Sequence, residues 1–140
     1  MTQEEKDLLF KNLCARLPYH TRVKVWLKDG TTEEGALDLE HNYGDVLRDA
    51  FYYDKIVKIK PFLFPLSSMT EEQLFEVQEI LGKNEIEIGD GFLSIIDSGI
   101  NTITYLEILV VLEWFYKNHF DVNNLIPMGL AIDATELNIY

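Results

Sequence analysis

Between Leu9 and Leu27 the hydrophobic period of the chain changes from four residues to two, with Pro18 at the junction. No all-helical or all-β arrangement accommodates that change. Leu9, Leu13 and Leu17, widened by Phe10, make one buried face of a helix. Thr2 followed three residues later by Glu5 forms a capping box, and Glu4, Glu5 and Asp7 suit the positive end of the helix dipole. Pro18 ends the helix, because the residue before a proline is biased out of the helical region. Val23, Val25 and Leu27 then alternate with Arg22, Lys24, Trp26 and Lys28, the pattern of a half-buried strand. Asp29-Gly30 predicts a two-residue type I′ hairpin. The return strand runs from Thr31 to about Glu40, with Leu37 and Leu39 on one face and Glu34, Asp38 and Glu40 on the other. Gly35 within it suggests a bulge.

A turn over His41 to Asp45 and a strand over Val46 to Tyr53 follow, then a strand over Ile56 to Lys60 with Val57 and Ile59 inward. Pro61 is expected to confine what comes next to a sheet edge, and Pro61 to Pro65 to act as a stiff connector. A second helix starts at Ser68 or Thr70, capped by Gln73. It buries Leu74, Val77, Ile80 and Leu81 and ends at Gly82. Phe92–Ile96 and Ile100–Thr104, on either side of Asp97-Ser98-Gly99, read as a second hairpin. Tyr105 to Asn118 reads as a third helix, apolar on nearly every side and therefore central or covered by a partner. Asn123 to Met128 forms a short helical turn closed by Gly129, and Leu130, Ile132, Leu137 and Ile139 dock the tail. The fold class is α+β. Residues 1–61 are a helix with a small bent antiparallel sheet, and 62–140 an acidic helix–hairpin–helix region with a docked tail, together one compact unit.

A chain of 140 residues, 47% hydrophobic and 12% aromatic, is long enough to bury a core without staples. Its one cysteine, Cys14, excludes an internal disulfide and sits among Leu13, Ala15 and Leu17, where an inert thiol is expected. No apolar run is long enough to cross a bilayer and no secretory signal is present, so a soluble, cytoplasmic protein without membrane partners is expected. The net charge of −12 is uneven. Met1 to Lys60 holds ten basic and eleven acidic residues, whereas Pro61 to Tyr140 holds two basic and thirteen acidic. The second half lacks the cations that binding a polyanion requires. It suits a basic partner, solubility, or mimicry of a nucleic acid.

Catalytic and metal-binding patterns are missing from the sequence. There is no HExxH, GxSxG, P-loop or GxGxxG. Asp45, Asp49 and Asp54 lack the ligand alternation of a calcium loop. His119 near Asp121 offers a base beside a carboxylate, but a histidine at a helix C-terminus is ordinarily held there by the dipole. The expectation is a non-enzymatic protein with no catalytic residues, no metal and no cofactor.

Two surfaces remain as candidates. Arg22, Lys24, Trp26 and Lys28 point to one face of their strand, and Lys58 and Lys60 to one face of theirs. If the strands are neighbours, a basic face with one aromatic results, as in nucleotide and single-strand binders. Glu34, Asp38 and Glu40 are placed to neutralise the same cations across the hairpin. The second surface is Trp114, Phe115, Tyr116, Phe120 and Ile126, a concentration of apolar area suited to a protein partner, or to a core. Protein contact is the first expectation for function, with nucleic-acid binding and nucleic-acid mimicry as alternatives.

Val23-Lys-Val-Trp-Leu27-Lys-Asp29-Gly30 with Gly35-Ala-Leu37 resembles the first half of an Sm-like motif. This implies a small, strongly bent, SH3-like partial barrel behind an N-terminal helix. Lys60-Pro61 stands where the second Sm half has Arg-Gly, so the resemblance implies the barrel rather than its RNA contacts. Three longer blocks, Leu13 to Tyr19, Lys60 to Gln73 and Asn118 to Thr135, resemble an uncharacterised family of short proteins. Phages, prophages and mobile elements of gut bacteria encode them. That resemblance implies an accessory role in a bacterial cytoplasm and no particular activity.

Overall fold

The computed structural model describes residues 1–37, 56–82, 85–89, 92–96 and 105–140. Its elements are α1 (Gln3–Arg16), β1 (Arg22–Leu27), β2 (Thr32–Ala36), β3 (Ile56–Leu63), α2 (Glu71–Ile80), β4 (Glu85–Gly89), β5 (Phe92–Ile96), α3 (Tyr105–Lys117) and β6 (Ile132–Asp133). The protein is α+β, with a four-stranded mixed sheet in the order β2-β1-β3-β6 and a separate β4-β5 pair. The described strands leave the sheet open, with β2 and β6 at its edges. It is not wholly antiparallel as expected, because β6 joins β3 in parallel. The expected strand over 46–53 and the second arm at 100–104 lie outside the described residues.

Two compact units share the chain: Met1–Leu63 with Leu125–Tyr140, and Phe64–Asn124. The division falls at Leu63 rather than residue 61, and the tail belongs with the N-terminal part. Each unit has its own apolar core. Leu9, Leu13, Val23, Val25, Leu37, Ile59, Leu63 and Leu125 belong to the first, and Leu66, Val77, Leu81, Val111, Phe115 and Phe120 to the second.

In the first unit, α1 begins at the expected capping box. Glu5 N–H donates to Thr2 Oγ1 (3.1 Å) and Thr2 N–H to Glu5 Oε2 (2.7 Å). Leu9 and Leu13 are buried on its inner face, and so is Arg16, whose Nε donates to Asn12 Oδ1 at 2.7 Å. A 3₁₀ turn at Leu17–Tyr19 and a left-handed His20 (φ 52°) swing the chain into β1. The β1–β2 connection is a three-residue loop rather than the expected type I′ turn. Gly30 N–H donates to Leu27 O, Leu27 N–H donates to Thr31 O, and only Gly30 has positive φ (86°). Asp29 takes the role of turn acceptor instead, its Oδ1 receiving Thr31 N–H (2.8 Å) and Thr31 Oγ1–H (2.6 Å). Those two bonds hold its carboxyl below the usual carboxylate pKa.

The irregularity lies in β3 and not at Gly35 of β2, the expected site of a bulge. Trp26 faces Lys58 but Leu27 faces Ile56, so Val57 is the extra residue of a bulge. Alternation slips there: Ile56 and Ile59 are buried, whereas Val57, expected inward, is 65% exposed. Pro61 does not relegate β3 to an edge, nor is it part of a connector. It lies inside the strand, opposite Val23, at the point where pairing passes from β1 to β6. Leu63 O accepts from Ala134 N–H on the β6 side. By alternation the nitrogen of Pro61 faces that same side, one residue before β6 pairing begins at Phe62, so no donor is missed. At the β1 side, Tyr140 Oη–H donates to Phe62 O (2.8 Å) and accepts from Arg22 N–H (3.0 Å), bridging the two strands.

The C-terminal segment opens with a capped turn. Leu130 N–H donates to Leu125 O and Gly129 N–H to Ile126 O, with Gly129 at φ 73°. This is the Schellman pattern that ends helices. In the second unit, α2 starts at Thr70, which with Gln73 completes a capping box, and ends at left-handed Gly82. Strand β5 is where expected, and its partner among the described residues is the preceding β4, in register from Glu85↔Ile96 to Gly89↔Phe92. Phe64 and Phe120 form a parallel bridge flanked by Phe64 N–H to His119 O and Asp121 N–H to Phe64 O, both 2.9 Å.

Candidate functional site

The register of the first unit brings the basic candidates together. Strand β1 lies between β2 and β3, placing Lys24 opposite both Glu34 and Lys60, and Trp26 opposite both Thr32 and Lys58. Strand alternation puts Lys24, Trp26, Lys58 and Lys60 on the face opposite the buried Val23, Val25 and Ile59. Lys58 Nζ stands 4.8 Å from the centroid of the Trp26 ring and Lys24 Nζ 5.8 Å. Both lie within cation–π reach, and the indole is half-buried beneath them.

Neutralisation across the hairpin is partial. Lys24 Nζ lies 3.1 Å from Glu34 Oε1, both partly exposed, a pair that contributes little to stability. Asp38 and Glu40 lie outside the described residues. No carboxylate among the described residues pairs with Lys58 or Lys60. Lys60 is half-buried opposite Lys24, and its pKa is lowered, first by burial and then by the charge of Lys58. Like charges set directly across a ladder repel. An anion lying along the face would relieve that repulsion. Arg22 begins the same row at its far end, its backbone held by Tyr140. Lys28 falls beyond β1, in the loop, and is not part of the face.

The aromatic set forms no surface. Phe115 and Phe120 are 1% and 2% exposed and lie at the centre of the second core. Trp114 stacks on Phe120 (5.8 Å, 10°) and meets Phe115 edge-on (5.3 Å), and its Nε1–H donates to Glu76 Oε2 on α2. Tyr116 is half-buried on α3, and Ile126 packs in the first unit instead. What α3 does expose is a different set: Ile108, Leu109, Val110 and Leu112, each 36–45% accessible. Strict apolarity all round a helix hides which side is covered, so the sequence alone could not separate the two sets.

Other chemistry is sparse. His119, at φ 63°, ends α3, while Asp121 is buried beside the bridge to Phe64. Burial raises the pKa of the half-buried Cys14 thiol, away from thiolate reactivity. Among the described residues no cluster of three metal-ligating side chains occurs. No described helix is long and apolar enough to cross a membrane. Comparison with protein-family models, with curated proteins and with solved structures finds no match to this chain.

Proposed function

We propose that this protein is a non-enzymatic binding module whose basic sheet face holds an anionic chain, a single-stranded nucleic acid in particular. One observation carries this reading: the β1–β3 register sets Lys24, Trp26, Lys58 and Lys60 side by side on one face. Lysines track phosphates, and an indole offers a stacking plane to any base without regard to sequence. The strongly acidic second half of the chain then leaves this face as the part suited to a polyanion. An accessory role in a phage or mobile element, which the family resemblance implies, is compatible with such a module.

The test is anisotropy of a fluorescein-labelled oligothymidylate titrated with the intact protein across a salt series. Three lysine–phosphate contacts give a slope of log affinity against log salt of about −2. Trp26→Ala lowers affinity by about tenfold or more, and Lys58→Ala flattens the slope by less than one unit (about 0.7). Binding that ignores salt and survives both substitutions would sink the proposal. Function would then move to protein contact, for which the exposed Ile108, Leu109 and Leu112 of α3 offer one apolar surface among the described residues.

A further inference from the structure

On the other side of β3 lies a groove of about 470 Å³, within the first unit. Its floor is Leu9, Ile59 and Leu130, all buried, and its rim is Met1, Val57 and Met128, which are 62%, 65% and 41% exposed. Lys58 and Lys60 line it, with Glu5 opposite. Glu5 is already engaged by the capping box, where Thr2 N–H donates to its carboxylate.

The backbone explains why the groove is there. Strand β6 pairs only with Phe62 and Leu63. Were the chain before Ile132 extended, it would continue down the edge of β3 past Lys60 and Ile59. The capped turn at Leu125–Leu130, reversed by left-handed Gly129, carries it away instead. The outer edge of β3 before Phe62 is therefore left without a neighbouring strand among the described residues. Leu63 O faces that edge, so by alternation the N–H and C=O of Ile59 face it too, while the C=O of Pro61 is taken by the pairing with β6.

We infer that this groove is a strand-addition site for an extended acidic peptide segment of a partner protein. The open edge supplies main-chain hydrogen bonds, the apolar floor and rim take alternate side chains, and Lys58 and Lys60 select carboxylates. A DNA backbone carries acceptors but no donors, so it cannot pair with the C=O of Ile59 as a peptide strand does. This site is thus separate in chemistry from the basic face, although Lys58 and Lys60 border both.

The experiment is an NMR titration of the intact, isotope-labelled protein with three capped hexapeptides. The first alternates valine with aspartate, the second valine with lysine, and the third is the first with N-methylated valines. The acidic peptide is expected to shift the amides of Val57–Lys60 and Met128–Leu130. The lysine peptide binds about tenfold weaker or less tightly still, and N-methylation abolishes binding by removing the donors that face the edge. The double variant Lys58→Glu/Lys60→Glu, whose amide spectrum reports that it remains folded, reverses the preference between the first two peptides. Equal affinity for all three peptides, or shifts confined to other residues, overturns the proposal. So does an absence of binding, which would make the two lysines guards against edge pairing.

Discussion

Tyr140 joins sequence positions far apart through one oxygen. Its ring is partly exposed, but its hydroxyl sits between the ends of β1 and β3, donating to Phe62 O and accepting from Arg22 N–H. The Tyr140→Phe variant leaves both groups without this partner and is expected to lose about 1–3 kcal/mol in urea denaturation. The same hydroxyl sets an alkaline limit. Burial pushes its pKa up to about 12, against the ordinary tyrosine value near 10, so the fold favours the neutral form. That contribution is fully present below pH 10 and is lost as pH rises from 10 towards 12. A pH series of denaturation midpoints should show this alkaline decline in the parent and a shallower one in the phenylalanine variant. Nothing in the pattern Leu137-Asn-Ile-Tyr140 announces the bridge. Arg16 is similar: its place in the last turn of α1 suggests a dipole-facing surface cation, yet it is wholly buried.

Elements were legible wherever a local rule decides them. Both capping boxes, the helices that follow them, the Pro18 stop and the alternation of β1 depend on side chains within a few residues. Where a choice among partners decides, the residues alone mislead. Phe92–Ile96 has strand character, but nothing within it foretells the pairing with β4 upstream. Asp29-Gly30 marks a turn, but Asp29 prefers to accept from Thr31 over adopting positive φ. Val57 leaves the core because the β1–β3 register slips by one residue, and a slip of one exchanges the faces of a strand. The basic face was legible since it needs only that β1 and β3 be adjacent. The groove was not, because it depends on where β6 stops. At Gly30 no neighbour would meet an added Cβ, so Gly30→Ala isolates the cost of φ 86° alone. About 1–2 kcal/mol should be lost in thermal or urea melts. The NMR amide shifts should stay confined to the β1–β2 loop.

At the scale of the whole molecule, two cores without a shared residue imply two unfolding events. The two tryptophans of the chain fall one in each unit, Trp26 in the first and Trp114 in the second. Single-tryptophan variants made by Trp26→Phe or Trp114→Phe therefore report each unit separately by fluorescence. Leu13→Ala, at a fully buried position of the first core, should lower the transition seen by Trp26 by about 2–5 kcal/mol. The Trp114 transition should hold its midpoint. Coincident shifts of both signals would mean that the two cores melt as one.

The return of residues 125–140 to the first unit also sets an order of events in time. The second unit is continuous in sequence, and its first and late residues meet through the Phe64–Phe120 bridge, so a single uninterrupted stretch of chain can close it. The first unit must wait until that stretch has been made, since β6 and the Tyr140 hydroxyl arrive only after it. Its final closure spans the whole intervening segment and carries the larger loop entropy, which compaction of the second unit reduces by shortening the effective loop. A nascent chain growing from its N-terminus would thus complete the inserted unit before the one that surrounds it.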